Sequence, residues 1–140
     1  MAGVYCLKLD FEPYIYRLIP SMKTPASFLP LKPHWFHVLL CLADGGNHGY
    51  AIMQEVLDRT DGKVRLWPAT LYGTLQRLID ADLIEESDTR PAPQLDDARR
   101  RYYCLTPLGR KVLAAESARL EDLVRVIRSK RSLFPRKAES

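Results

Sequence analysis

The stretch from Trp67 to Glu86 constrains the fold most, because a helical pattern in it changes within a few residues into a strand pattern. Leu71, Leu75 and Leu78 recur at intervals of three or four residues, which places them on one side of a helix. The segment LIEES at residues 83–87 is short and contains β-branched isoleucine. The sequence therefore predicts a helix that packs one side on a core and then leads into a short strand.

The opposite side of this predicted helix is small, polar and almost uncharged in its N-terminal half. The residues on and beside it are Ala69, Thr70, Gly73, Thr74, Gln76, Arg77 and Asp80. A helix that meets only water would tend to carry Glu and Lys pairs one turn apart. Gly73 in a helix interior costs about 1 kcal/mol relative to alanine. We interpret this side as a surface that fits closely against another molecule.

Proline and glycine divide the chain around this helix. The prolines between residues 20 and 33 exclude a continuous helix, so residues 1–32 are predicted to be an N-terminal extension and an extended proline-rich arm. The compact domain is expected to begin near Pro33. The segment PHWFHVLLCLADGG, residues 33–46, predicts a central apolar helix, and HGYAIMQEVLDRT, residues 48–60, predicts a second helix.

A second strand is predicted in RYYCLT, residues 101–106, after a long hairpin loop that is rich in proline and charge. The rising arm of this loop carries Arg99, Arg100 and Arg101 in succession. The three arginines could form an ordinary solvated turn. Their place on a projecting pair of strands makes contact with phosphate the better interpretation.

A long helix is predicted from Pro107 to about Ser129, with Thr106 as its N-cap. Its apolar stripe extends too far from the core for one small domain to cover it, so we expect residues 107–129 to dimerise the protein. The predicted interface residues are Leu113, Leu120, Leu123, Val124 and Ile127. Residues 130–140 are predicted to be a flexible basic tail.

Composition limits the partners and the compartment. The net charge of +4 and the pI near 9.0 favour a polyanionic partner. Cys6, Cys41 and Cys104 are odd in number and lack CxxC spacing, which suits a reduced cytosol. No window approaches the roughly 18 apolar residues that cross a bilayer, and residues 1–21 do not resemble a signal peptide. We therefore expect a cytoplasmic protein that does not enter membranes.

The predicted order of three helices, a two-stranded wing and a long helix is that of a winged helix-turn-helix, a mainly α fold occupying residues 33–106. This order suits duplex DNA, because the major groove admits one α-helix while guanidinium groups meet the phosphates beside it. The helix that begins near Trp67 is the candidate for reading base edges.

Three segments in this order resemble the PadR family of bacterial transcriptional regulators, especially its short members. They are HGYAIMQEV, PATLYGTLQRLIDADLIEE and DDARRRYYCLTPLGRKVLAAE, and the resemblance covers about Leu29 to Arg128. It implies a homodimeric repressor that binds a near-palindromic operator, with the last helix crossing to the other subunit. By this resemblance, Thr70, Tyr72, Thr74 and Arg77 match the reading helix, and Arg99, Arg100 and Arg101 match the basic wing. Gly73 and Gln76 complete the DNA-binding candidates.

The chain departs from the family pattern at its beginning and before the reading helix. Many members have Ser or Gly before the proline that opens this helix, whereas this chain has Trp67, which cannot cap it. Residues 1–21 have no family counterpart, and the family-like sequence begins at Met22. We expect residues 1–21 to contribute little to folding or to DNA binding.

Two alternative functions remain open from the residues alone. His34, His37 and Cys41 share one helical face and could make the protein a metal-responsive sensor, although a closed site needs a fourth ligand. The winged fold could also bind a protein instead of DNA. No nucleophile elbow or glycine-rich phosphate loop supports an enzyme, and no cofactor is expected. The effector that would release a repressor is not named by the sequence.

Overall fold

The helices and strands follow the predicted order, with one short strand in addition. A computed structural model describes residues 24–87 and 100–134. The elements are a 3-10 turn (Pro25–Phe28), α1 (Pro33–Cys41), β1 (Asn47–His48), α2 (Gly49–Arg59), α3 (Pro68–Asp80), β2 (Ile84–Ser87), β3 (Tyr102–Leu105) and α4 (Pro107–Ser129). Within these described residues, no helix has the length and apolar character that a membrane span requires.

The wing is the hairpin of β2 and β3, and β1 adds a third antiparallel strand on the other side of β3. In this register His48 faces Tyr102, and Ser87 faces the same tyrosine from β2. The sequence did not predict β1, because two residues are too few to carry an alternating pattern. The prediction of a mainly helical fold with a wing is confirmed.

The core lies between α1, α2, α3 and the first half of α4. Its fully buried side chains include Val38, Leu39, Leu42, Ile52, Val56, Leu71, Leu75, Leu78 and Val112. Burying one such side chain contributes about 1.5–3 kcal/mol. Helix α1 contacts α2, α3 and α4, which confirms its predicted central position. The core therefore holds one side of α3 and leaves the other side to solvent.

Helix α3 ends in a hydrogen-bonded turn that directs the chain into the wing. The Leu83 N–H donates to the carbonyl of Leu78 and the Asp82 N–H donates to that of Ile79, both at 2.9 Å. Asp82 has a φ of +60°, the left-handed conformation typical of this helix ending. The helix itself ends at Asp80, so Asp82 lies in the turn that follows it.

Thr106 joins the start of α4 to the base of the wing, and its predicted role as N-cap is confirmed. Its hydroxyl accepts from the Gly109 N–H at 3.0 Å and donates to the carbonyl of Asp82 at 2.6 Å. Its own N–H donates to the carbonyl of Leu83 at 3.1 Å. One buried threonine thus caps α4 and satisfies the turn that follows α3.

The described part of the arm before Pro33, residues 24–32, packs on the folded domain. Leu31 is part of the buried core, and its N–H donates to Glu116 Oε1 of α4 at 3.3 Å. Arg119 donates to both carboxylate oxygens of Glu116 at 2.7 Å. A buried carboxylate with three donors is well satisfied and ties the arm to α4. The predictions for residues 1–21 lie outside the described part of the chain.

The hydrogen bonds of Glu116 predict that the free energy of unfolding depends on pH. The hydrogen bonds from Arg119 hold the pKa of Glu116 below its ordinary value in spite of burial. Because the pKa of Glu116 is lower in the folded state than in the unfolded state, the ionised carboxylate stabilises the folded protein at pH values above the unfolded-state pKa. This contribution is lost as the pH falls through the folded-state pKa. We expect Glu116→Gln to lower the free energy of unfolding at pH 7 by about 1–2 kcal/mol, measured by urea denaturation.

The difference between wild type and Glu116→Gln should shrink as the pH falls through the lowered folded-state pKa of Glu116, where the wild-type carboxylate takes up its proton. Glu121→Gln is the matched control, because Glu121 is exposed on the same helix. A difference that stays constant down to pH 2, or an equal loss in the control, would contradict this account.

Candidate nucleic-acid interface

Helix α3 presents the candidate reading face to solvent. Pro68 occupies its first turn, and the leucines of its other side are buried in the core. The exposed or half-exposed residues are Ala69, Thr70, Tyr72, Gly73, Gln76, Arg77 and Asp80. Five of the six predicted DNA-binding residues of this helix are therefore accessible, and Thr74 is not.

Thr74 does not lie on the exposed face, and its assignment as a DNA-contacting residue is wrong. Its relative exposure is 3%, similar to that of its core neighbours. It follows Leu71 by three residues and precedes Leu78 by four, so the helical repeat places it within the buried side. Threonine is polar but small and partly apolar, so it can occupy the edge of the buried side.

Gly73 leaves the helix surface open at the middle of this face. A Cβ atom added there would meet no atom within 4 Å, so no contact inside the described residues requires glycine at this position. The helical cost of Gly73 therefore has no internal compensation in the fold. Close approach of another molecule to the helix backbone would explain why glycine occupies position 73.

Tyr72 turns from α3 towards the wing and forms one side of a surface cavity of about 320 Å³. The residues that line this cavity are His48, Gly49, Tyr50, Tyr72, Arg100, Arg101 and Tyr103. Tyr72 is 55% exposed and contacts Gly49 at the start of α2, so its ring packs at one edge while its remaining surface is accessible. The structure thus brings together residues from α2, α3 and β3 with the two wing arginines that precede β3.

His48 fixes the geometry on the far side of this cavity. Its Nδ1 accepts the Ala51 N–H at 3.2 Å and caps α2, and its ring meets Tyr102 edge-on at 5.4 Å. Arg100 Nη1 lies 3.4 Å from His48 Nε2, which places a guanidinium beside the N-terminal end of α2. The helix end itself carries partial positive charge. The cavity therefore suits an anion.

Arg101 and Tyr103 supply the remaining polar groups at this cavity. Arg101 Nη1 is 3.5 Å from Glu86 Oε1 in an exposed ion pair, which contributes little and can be exchanged for a phosphate. Burial raises the pKa of Tyr103, and the charge of Glu86 acts in the same direction, so the phenol stays protonated and able to donate. Arg99 lies outside the described residues.

Sequence reasoning missed four residues of this cavity: His48, Gly49, Tyr50 and Tyr103. The signal was present in part, because HGY belongs to the motif that carries the family resemblance. Nothing local, however, indicates that this motif pairs with the wing strand. That relation depends on β1 opposite β3, a contact between residues more than fifty positions apart.

The three candidate metal ligands on α1 do not form a metal site. The described residues contain no group of three or more His, Cys, Asp or Glu side chains that could hold an ion. Arg59 Nη2 lies 3.5 Å from Cys41 Sγ and donates to the carbonyl of His37 at 3.1 Å. Burial raises the pKa of the Cys41 thiol to about 11, so it does not offer a thiolate. His34 is exposed. Within the described residues, this arrangement gives the metal-sensing alternative no support.

Helix α4 exposes its apolar stripe only in its C-terminal half. Leu113 is buried in the core of its own domain, so its assignment to a dimer interface is wrong. Leu120 is half-buried. Leu123, Val124 and Ile127 are between 43% and 45% exposed, and no described residue covers them. The candidate interface is therefore shorter than predicted.

Comparison with known proteins agrees with the winged-helix geometry of α3 and the wing. Residues 38–115, more than half of the chain, match the model of the transcriptional regulator PadR-like family. The transcriptional regulator Rv3488 of Mycobacterium tuberculosis is 37% identical over 91 residues, which cover 65% of this chain and 78% of that protein. A 37.1 kDa protein in a transposon of Streptomyces fradiae is 41% identical over 80 residues, which cover 57% of this chain but only 21% of that protein.

Two solved structures share the fold. A transcriptional regulator from Clostridium thermocellum matches with a TM-score of 0.56 at 26% identity, over 69% of this chain and 87% of that one. A PadR family transcription regulator from Clostridium difficile matches with a TM-score of 0.57 at 22% identity, over 70% and 97% of the two chains. The family match, the Mycobacterium relative and the winged helix agree, and the chain belongs to the PadR-like family of transcriptional regulators.

Proposed function

We propose that this regulator is a cytoplasmic homodimeric repressor that binds a near-palindromic DNA operator and that an unidentified effector releases it. One observation carries the proposal. Tyr72 of α3 and Arg100 and Arg101 of the wing line a single positively charged cavity beside the open face of the reading helix. A helix face for bases with adjacent cationic groups for phosphates is the arrangement that duplex DNA requires.

In this proposal α3 enters the major groove with its N-terminal half foremost. Thr70 and Gly73 lie on the uncharged part of the face, whereas Asp80 marks its C-terminal end and would be repelled by phosphates. Gln76 Nε2 donates to Asp80 Oδ1 at 2.9 Å, and this exposed bond can be exchanged for one to a base edge. Tyr72 and the wing arginines would then lie along the sugar-phosphate backbone.

A dimer would place two such helices about 34 Å apart, in successive major grooves on one face of the duplex. The two-fold symmetry of such a dimer explains why a near-palindrome is the expected operator. Selection of bound duplexes from a random pool tests the proposal directly. An enriched palindrome supports it, and a pool without enrichment would contradict sequence-specific binding.

The second candidate is a winged-helix module that binds protein. The accessible aromatic surface of Tyr50 and Tyr72 favours it, since exposed aromatic residues are frequent in protein interfaces. Salt distinguishes the two functions, because binding to DNA weakens steeply with ionic strength while an apolar protein contact does not.

Arg77 and Arg100 should affect DNA binding in different ways. Arg77 is exposed on the reading helix, so Arg77→Ala is expected to cost about 1–3 kcal/mol on the operator and to relax specificity at one base pair. Arg100 lies at the wing, so Arg100→Ala should weaken binding to any duplex and lower the salt slope by about one. Both are measured on operator and random duplexes at several salt concentrations.

Arg128→Ala is the control for this comparison, because it removes an exposed arginine near the end of α4, far along the chain from the reading helix. Equal losses on both duplexes for Arg77→Ala and Arg100→Ala would make Arg77 a phosphate contact. Base recognition would then rest on Thr70 and Gln76. No loss for either variant would place the DNA-binding face elsewhere.

A further inference from the structure

Trp67 is a large apolar side chain that the fold leaves exposed at the start of α3. It is 62% exposed, and its side chain makes no capping hydrogen bond. Only its main chain serves the helix, since its carbonyl accepts the Leu71 N–H at 2.8 Å. A smaller residue could perform that main-chain role equally well. The indole therefore has no structural task among the described residues that would account for its size.

The guanidinium of Arg65 lies over the Trp67 ring, with its Cζ 5.2 Å from the ring centroid. An exposed cation–π contact of this kind is weakly stabilising and restricts both side chains. Arg65 is thus held beside the N-terminal end of the reading helix before any partner binds. Ordering in advance lowers the entropic cost of binding later.

The chain segment that carries this pair holds charges of one sign. Residues 62–79 contain Lys63, Arg65 and Arg77 but neither Asp nor Glu. The first turn of α3 also contains no acid, and its free N–H groups add partial positive charge. A partner that covers Trp67 must therefore be compatible with positive charge around the site as well as with an aromatic ring. The backbone of DNA offers phosphates to the positive charges and deoxyribose surface to the aromatic ring.

We propose that Trp67 and Arg65 form a further DNA-contacting pair, in which Arg65 binds a phosphate at the edge of the half-site and the indole packs against the adjoining sugar. The inference rests on the proposed function and extends the contact surface beyond α3 itself. It places the pair at the helix end that approaches base edges in helix-turn-helix complexes. The contact is to the backbone and adds affinity without reading sequence.

Fluorescence tests the contact, because Trp35 and Trp67 are the two tryptophans of the chain. Trp35→Phe leaves Trp67 as the single reporter, and Trp67→Phe leaves the half-buried Trp35 as its control. We expect the selected duplex to reduce acrylamide quenching of Trp67 at least about twofold and to leave that of Trp35 unchanged, because burial against a sugar excludes the quencher. In wild-type protein labelled with 5-fluorotryptophan, the ¹⁹F resonance that Trp67→Phe removes should shift on binding.

Affinity gives the second readout. Trp67→Ala and Arg65→Ala should each weaken operator binding about tenfold, which corresponds to about 1.4 kcal/mol. The double variant should lose less than the product of the two, because the ring holds the guanidinium. Melting temperatures establish that the variants are folded.

Each other outcome has a definite meaning. Operator binding with unchanged quenching, an unshifted resonance and full affinity in Trp67→Ala would overturn the proposal while the proposed function stands. If acrylamide quenching of Trp67 decreased as the protein concentration was raised without DNA, the ring would lie against a partner subunit. That result would also overturn the proposal. Failure of the wild-type protein to bind any duplex would instead refute the proposed function.

Discussion

Gly109→Ala is expected to lower the free energy of unfolding by about 3 kcal/mol, the upper part of the range for added atoms in a packed interior. Gly109 is buried in the first turn of α4, and a Cβ atom added there would collide with the carbonyl oxygen of Leu83. Leu83 immediately precedes β2, and the clashing oxygen belongs to its main chain, so no side-chain rotation can relieve the clash.

Relief of this clash would require α4 to move away from the wing. The movement would lengthen the hydrogen bond from the Thr106 N–H to Leu83 and the bond from the Thr106 hydroxyl to Asp82. Both groups of Thr106 are buried, so breaking their bonds carries a further desolvation cost. Urea denaturation of wild type and variant measures the loss.

Gly73→Ala is the matched control, since it makes the same substitution in another helix. The added Cβ at Gly73 meets nothing within 4 Å, and the higher helix propensity of alanine should stabilise this variant by about 1 kcal/mol. The two glycines therefore predict opposite signs. A Gly109→Ala protein as stable as wild type would mean that α4 does not pack on β2 as closely as described.

The order and type of the main elements could be predicted because each has a strong local signal. Thr106 with Pro107 fixed the start of α4, and the spacing of leucines fixed α3. Two predictions on these helices were wrong for the same reason. Periodicity shows which side of a helix is buried but not how wide the buried side is. Thr74 was therefore assigned to the exposed side and Leu113 to the interface, whereas both are buried.

The cavity beside α3 could be predicted only in part. Tyr72 and the wing arginines were candidates, but their meeting depends on β1 pairing with β3, through Asn47 opposite Tyr103. Such a contact brings together residues that are distant in sequence and carries no local pattern. The same holds for the arm, because the Leu31 N–H finds its acceptor in Glu116 of α4, 85 positions away in the sequence.

Leu123→Asp is expected to convert a dimer into a monomer and to weaken operator binding about a hundredfold or more. Leu123, Val124 and Ile127 form an exposed apolar stripe that continues from the buried half of α4. A contiguous apolar surface of this kind marks an interaction site. A carboxylate placed within it would be buried without a partner, which costs far more than the lost leucine contacts. A dimer binds both half-sites at once, and loss of the second contact removes the gain from linked binding, about a hundredfold or more.

Leu123 is a better position for this test than Leu120, which is half-buried against its own domain and would damage the fold as well as the interface. Ala118→Asp is the control, because it introduces the same charge at an exposed position on the opposite side of α4. Sedimentation velocity should give a monomer for Leu123→Asp and a dimer for Ala118→Asp, with similar melting of the monomeric domain. A Leu123→Asp protein that still sediments as a dimer would place the interface elsewhere, and the stripe on α4 would then need another partner.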